Sequence, residues 1–209
     1  MTDDPQDPLA RLYLIVPAGT TADTLAAALD GGDVAAVLLP PEAPASLIET
    51  AQARDVAALL ADDPSAVKRL DADGVHLGPG GKVKAARKSL GEDRIVGMFC
   101  ATSRHAAMMA GEAGADYVAF TAPEPDRGPP ETAHDAEHTG NFTWWQAVME
   151  LPCVAMAERA GPPITLDDVT PLVSAGADFV ALAAAVWQHP DGPAAAVAEA
   201  NARIARAAR

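Results

Sequence analysis

Apolar residues come in short unbroken runs along this chain. They occupy positions 12–16, 34–39, 56–60, 74–77, 95–100, 117–120, 153–156 and 179–183, and are mostly Val, Leu, Ile and Ala. None alternates cleanly with polar residues, so each reads as a strand covered on both faces, as parallel sheets require. Between them lie Ala-rich, helix-forming stretches at 22–29, 45–53, 82–90, 105–113, 166–174 and 194–207. Strands that recur about every 20 residues, with one wider gap and helices between, make repeating βα units. The expected fold is α/β, a single (β/α)8 TIM barrel at the small end of that class. An open doubly wound sheet is the competing arrangement. It gains no support from the first strand, which continues as Leu14-Ile15-Val16-Pro17-Ala18-Gly19 without a G-x-G-x-x-G turn.

The punctuation between runs is regular. Gly114-Ala115-Asp116 precedes Tyr117, Gly176-Ala177-Asp178 precedes Phe179, and the related Asp71-Ala72-Asp73-Gly74 precedes Val75. Each reads as a left-handed helix end that starts the next strand, a stability feature at the bottom of a barrel. One stretch breaks the rhythm. Residues 123–143 are polar, Pro-rich and acidic, too long for an ordinary βα loop, and follow the sixth strand. They read as either a binding loop or an insertion, with Trp144-Trp145 opening a helix after them. Residues 1–11 form a polar N-terminal extension and 12–209 the barrel domain.

Composition narrows the function classes. The chain has 209 residues, 49% apolar but only 4% aromatic, and a formal net charge of −14. One hydrophobic core is affordable at this length. The negative charge opposes nucleic acid and anionic membrane as partners, and no apolar stretch reaches the ~20 residues of a membrane span. A small-molecule ligand is the expected partner. The acidic, Pro-containing start is unlike a signal peptide, and two cysteines, Cys100 and Cys153, lie in apolar runs as buried thiols. Both point to the cytoplasm.

The runs ADGVHLG, GADYVAF, LPCVAM and ITLDDVTPLVSAGADFVAL carry a resemblance over nearly the whole chain to the thiamine phosphate synthase/TenI family. The resemblance implies a (β/α)8 barrel and a transferase that joins hydroxymethylpyrimidine pyrophosphate to thiazole phosphate. Mg2+ and cations would neutralise the departing pyrophosphate, and backbone amides would hold the second phosphate.

Matched position by position, the family's polar residues are largely replaced. Where the family has Gln-x-Arg-x-Lys after the second strand, this chain reads Val37-Leu38-Leu39-Pro40-Pro41-Glu42. After the third strand Asp62 matches a metal-binding acid, with Asp63 beside it. The competing reading is that Asp62-Asp63-Pro64 caps the next helix. The second acid of His-x-Gly-Gln-Glu-Asp falls on Gly81, in His76-Leu77-Gly78-Pro79-Gly80-Gly81. Glycine has no side-chain donor, so the implied Mg2+ retains one acid of two. The glycine run reads as a turn that lost its ligand, with a backbone phosphate cradle as the alternative. Phe99 and Ala101 stand at the polar positions of Gly-x-Ser-x-His, followed by Thr102. Arg127 lies near the family lysine, Ala122 at the TenI histidine, Ala157-Glu158-Arg159 at the Gly-Gly phosphate site, and Ala183-Ala184 at its Ile-Ser partner.

Three functional readings follow. In the first, the chain is a family member in thiamine metabolism whose site is eroded or redirected. It binds a phosphorylated or heterocyclic ligand at the C-terminal mouth through His76, Thr102, Glu124, Arg127, Glu158 and Arg159, with Asp62 and Asp63 as candidate metal ligands. The second is a non-catalytic binding or regulatory barrel. The third is a metal-dependent hydrolase built on Asp62, Asp63, Glu124 and Glu158. His134 and His138 have zinc-like i, i+4 spacing but read as solvated loop residues.

Overall fold

The computed structural model describes residues 10–122, 140–157 and 161–207. Eight strands, β1 (Arg11–Ile15), β2 (Val34–Leu39), β3 (Ala57–Ala61), β4 (Gly74–Leu77), β5 (Ile95–Ala101), β6 (Tyr117–Thr121), β7 (Cys153–Met156) and β8 (Phe179–Leu182), close into one parallel barrel in sequence order. The helices are α1 (Ala22–Leu29), α2 (Ala45–Gln52), α3 (Pro64–Leu70), α4 (Val83–Leu90), α5 (Arg104–Glu112), α6 (Asn141–Val148), α7 (Val169–Ser174), α8 (Ala184–Trp187) and α9 (Pro193–Ala207). The expected (β/α)8 barrel is the observed fold, and the doubly wound alternative falls. Among the described residues no helix is long and apolar enough to cross a membrane.

Two apolar layers explain the continuous strand patterns. Leu12, Leu14, Val37, Leu60, Val75, Val118, Val180 and Leu182 face outward into the helices, while Tyr13, Ala36, Leu59, Tyr117, Ala119, Val154 and Ala181 fill the barrel interior. That interior mixes alanines with Tyr13, Tyr117, Leu59 and Met156, so large and small side chains together fill the space that eight strands enclose. Trp145 is fully buried in the outer layer, its ring meeting Phe120 edge-on and its Nε1 donating to Leu151 O at 2.6 Å.

The aspartates before β4, β6 and β8 close the bottom of the barrel in one repeated way. Asp73 donates its N–H to Ala58 O and accepts at its carboxylate from Ala58 N at 2.7 Å. Asp116 does the same with Val96, at 2.8 and 2.7 Å, and Asp178 with Cys153, at 3.1 and 2.7 Å. Each aspartate therefore clamps the first residues of the odd strand before it. The helix before each clamp ends in left-handed backbone at Asp71, Gly114 or Gly176, which is why glycine serves at the latter two, with φ near +93° and +104°. Arg87 reinforces the Asp116 clamp through an ion pair and donates to Gly114 O at 3.0 Å.

Candidate site at the C-terminal barrel mouth

The C-terminal ends of β3 and β4 are tied together by a side chain. Asp62 leaves β3 in left-handed backbone, φ +55°, with its N–H donating to His76 O at 3.0 Å. That geometry turns its carboxylate toward the next loop, where Oδ1 accepts from Gly78 N at 2.6 Å. A Cβ on Gly78 would stand 3.2–3.3 Å from the Asp62 carboxylate oxygens, so the missing side chain permits the approach. A non-glycine residue at positive φ beside a site costs energy that the surrounding structure must offset. Asp63 has a different task. Its Oδ1 accepts from Ser65 N and Ala66 N, both at 2.9 Å, and caps α3, with Pro64 at the first helical position. The paired acids thus divide into one loop tie and one helix cap.

Gly78 to Gly81 form a tight turn. Gly81 N donates to Gly78 O at 3.0 Å, and Gly80 takes φ +78° after Pro79, as a type II turn demands. The amides of Gly78 and Gly81 are committed within the protein and Pro79 has none, so none of these three can donate to a phosphate. Gly81 is itself packed: a Cβ there would lie 2.6 Å from Leu77 Cβ and 3.0 Å from Gly78 O.

Beside β4, β5 ends in a bulge at Ala101, whose φ is +50°. Thr102 follows, partly buried, with its carbonyl accepting from Asn141 Nδ2 at 3.0 Å. Asn141 is 1% exposed and its Oδ1 accepts from Arg104 Nε at 2.9 Å, while the Arg104 guanidinium sits 4.6 Å over the Trp144 ring. Trp187 Nε1 donates to Ile15 O at 2.7 Å and so packs α8 onto the rim of β1.

His76 stands on β4 just inside the mouth, 5% exposed, with Nδ1 2.7 Å from the Tyr117 hydroxyl. Burial pushes its pKa down to about 4, the neighbouring Asp62 charge acting in the opposite direction. The imidazole is therefore neutral near pH 7. Of the residues expected at the site, Asp62, His76 and Thr102 lie at the C-terminal ends of strands, and Asp62 is near enough to His76 to act on it electrostatically. Glu124, Arg127, Glu158, Arg159, His134 and His138 lie outside the described residues. Arg104, Asn141, Tyr13 and Tyr117 were not singled out from sequence. Two tyrosines inside otherwise apolar parallel strands were the available signal, because a buried hydroxyl needs a partner.

A closed parallel barrel with its polar side chains at the C-terminal strand ends has the layout of barrels that bind ligands at that face. Comparison with known proteins narrows this class. The chain belongs to the thiamine monophosphate synthase family, whose profile matches residues 12–186. It is 48% identical to the thiamine-phosphate synthase of Rhodospirillum centenum, over 91% of this chain and 96% of that one. It is 41% identical to the thiamine-phosphate synthase of Hyphomonas neptunium, over 97% of both. The solved structure of thiamine phosphate pyrophosphorylase from Pyrococcus furiosus shares the fold, with a TM-score of 0.74 at 21% identity over 94% of this chain and 96% of that one.

Family membership implies Mg2+, and the described positions that match the family's two acids are Asp62 and Gly81. Asp62 supplies one carboxylate, with one oxygen already accepting from Gly78 N, and Gly81 supplies none. No group of three or more His, Cys, Asp or Glu side chains among the described residues is placed to hold a metal.

Proposed function

We propose that this barrel acts in thiamine biosynthesis by binding a small heterocyclic or phosphorylated metabolite at its C-terminal mouth, through a site that departs from the family's two-acid Mg2+ pair. Family membership supports the pathway. The departure rests on one observation: Gly81 sits in a closed turn with no room for a side chain, and the acid that remains, Asp62, is engaged in tying β3 to β4. In this reading Asp62 holds the loop, neutral His76 offers a hydrogen bond, and Thr102 lines the rim. Arg127 and Arg159 are the cations proposed to meet phosphate, with Glu124 and Glu158 beside them. The two buried cysteines suit a reducing cytoplasm.

The test incubates purified protein with hydroxymethylpyrimidine pyrophosphate, thiazole phosphate and Mg2+, and measures thiamine phosphate against an Asp62→Ala control. Binding of each substrate is followed in parallel by calorimetry, with and without Mg2+. Binding that is indifferent to Mg2+ is expected. Turnover that requires both Mg2+ and the Asp62 carboxylate would overturn the departure. Failure of both substrates to bind would remove the pathway ligands altogether.

A further inference from the structure

Below the mouth, three polar groups stand in a row inside the barrel. Tyr13 Oη lies 3.1 Å from Tyr117 Oη, which lies 2.7 Å from His76 Nδ1. All three residues are buried. The His76 ring stacks on Tyr117 with centroids 5.7 Å apart, and Tyr13 meets both edge-on at 6.3 and 6.1 Å. Gly97 on β5 makes the space: a Cβ there would stand 2.0–2.3 Å from ring and hydroxyl atoms of Tyr117.

The direction of the protons follows from counting donors. Tyr117 is the one hydrogen-bond partner of the Tyr13 hydroxyl among the described residues. If Nδ1 carried the His76 proton, it would donate to Tyr117 and Tyr117 to Tyr13. The Tyr13 O–H would then be left without an acceptor in an apolar interior. The reverse order leaves only a spare lone pair on Tyr13, which costs far less. We infer that Tyr13 and Tyr117 form a donor relay that fixes His76 as the neutral tautomer with its proton on Nε2.

The relay decides what the mouth can do at this point. No buried side-chain nitrogen or oxygen among the described residues lacks a partner, and the His76 ring makes its one hydrogen bond through Nδ1, so Nε2 is not sealed off. The exposed atom is a donor, and the only lone pair of the ring is taken up inside by Tyr117. His76 therefore serves as a hydrogen-bond donor and not as a general base. With Asp62 acting on the ring, this N–H suits a neutral acceptor, such as a heterocycle nitrogen, better than an anionic phosphate oxygen. That ligand preference rests on the proposed mouth site; the tautomer does not.

Long-range 1H–15N correlation spectra of the 15N-labelled full chain at pH 7 report which ring nitrogen holds the proton, with His76→Gln to identify the signals. The Nε2–H form is expected in roughly tenfold excess or more, because the other order orphans a buried donor. A proton on Nδ1 overturns the relay. Tyr13→Phe should keep Nε2–H, since Tyr117 still donates, whereas Tyr117→Phe should release the ring to a tautomer mixture. An unchanged single form in Tyr117→Phe also overturns the relay, and if that variant does not fold, the wild-type and Tyr13→Phe spectra decide alone. Neutral hydroxymethylpyrimidine should shift the Nε2 signal and inorganic phosphate should not; the opposite pattern overturns the preference for a neutral acceptor. No shift from either overturns the ligand reading and leaves the relay standing.

Discussion

Removing one carboxylate at the closed end of the barrel should cost a large share of its stability. In Asp178→Ala the backbone donation to Cys153 O survives, but Cys153 N–H loses its acceptor at 2.7 Å. Cys153 is fully buried, so water cannot replace the lost partner without opening the strand pair. A hydrogen bond to a charged group contributes about 1.5–3 kcal/mol, and an orphaned buried amide costs a similar amount. The expected loss is about 2 kcal/mol. For a chain of this size that is about 4–8 °C in Tm. Asp178→Asn retains an acceptor oxygen and should lose about half as much. Urea unfolding followed by circular dichroism, with a thermal melt beside it, measures both variants. Asp116 clamps a different strand pair and shares no partner with Asp178, so combining Asp116→Ala with Asp178→Ala should show additive losses. An Asp178→Ala protein within about 0.5 kcal/mol of wild type would refute the clamp, since that is the range of an ordinary surface substitution. An Asn variant as damaged as the Ala variant would show that the acceptor is not what matters.

Gly97→Ala should displace Tyr117 and destabilise by about 1–3 kcal/mol, read from urea unfolding and loss of near-ultraviolet dichroism; a native spectrum would contradict the packing described. His76 binds a proton more weakly folded than unfolded, so the unfolded state takes up the extra proton below pH 6.5 and stability falls as pH drops toward 4. The full effect is about 3 kcal/mol, and His76→Gln should flatten the slope between pH 6.5 and 5; an unchanged slope would assign the loss elsewhere. Burial pushes both Cys100 and Cys153 up to about 12, so neither thiol should react with an aromatic disulfide reagent at pH 8 until the protein is unfolded, and rapid native labelling would disprove their burial.

Strand positions were legible because burial on both faces leaves an unbroken apolar run whatever the neighbours are. β2, β4 and β7 have the bounds that the apolar pattern predicts, and β1 shifts by one residue to begin at Arg11, which pairs outward with Asp33. Helix starts were harder where a side chain decides them. The expected helix from 166 begins at Val169, because Asp168 accepts from Thr165 N and its hydroxyl and holds a turn before it. Three residues of the expected loop, 141–143, belong to α6, and α8 is too short to show a period. At the mouth, the neighbours Asp62 and Asp63 look interchangeable in sequence. Only the left-handed turn at Asp62 sends one carboxylate to Gly78 and leaves the other to cap α3. The Tyr13–Tyr117 contact joins positions 104 apart, and an apolar strand pattern treats each ring as core filler.

The three aspartate clamps also bear on the order in which the barrel assembles. Each joins residues close in the chain, 15 apart for Asp73 and Ala58, 20 for Asp116 and Val96, and 25 for Asp178 and Cys153. Closing such short loops costs little entropy compared with joining β1 to β8 across the whole sequence. Each β-α-β pair can thus lock its own register before the ring exists, and a slip of one residue would break both bonds of a clamp at once. Three of the four β-α-β units, β3–β4, β5–β6 and β7–β8, thus carry their own register lock, while the β1–β8 seam joins the most distant strands and carries the largest loop-closure cost.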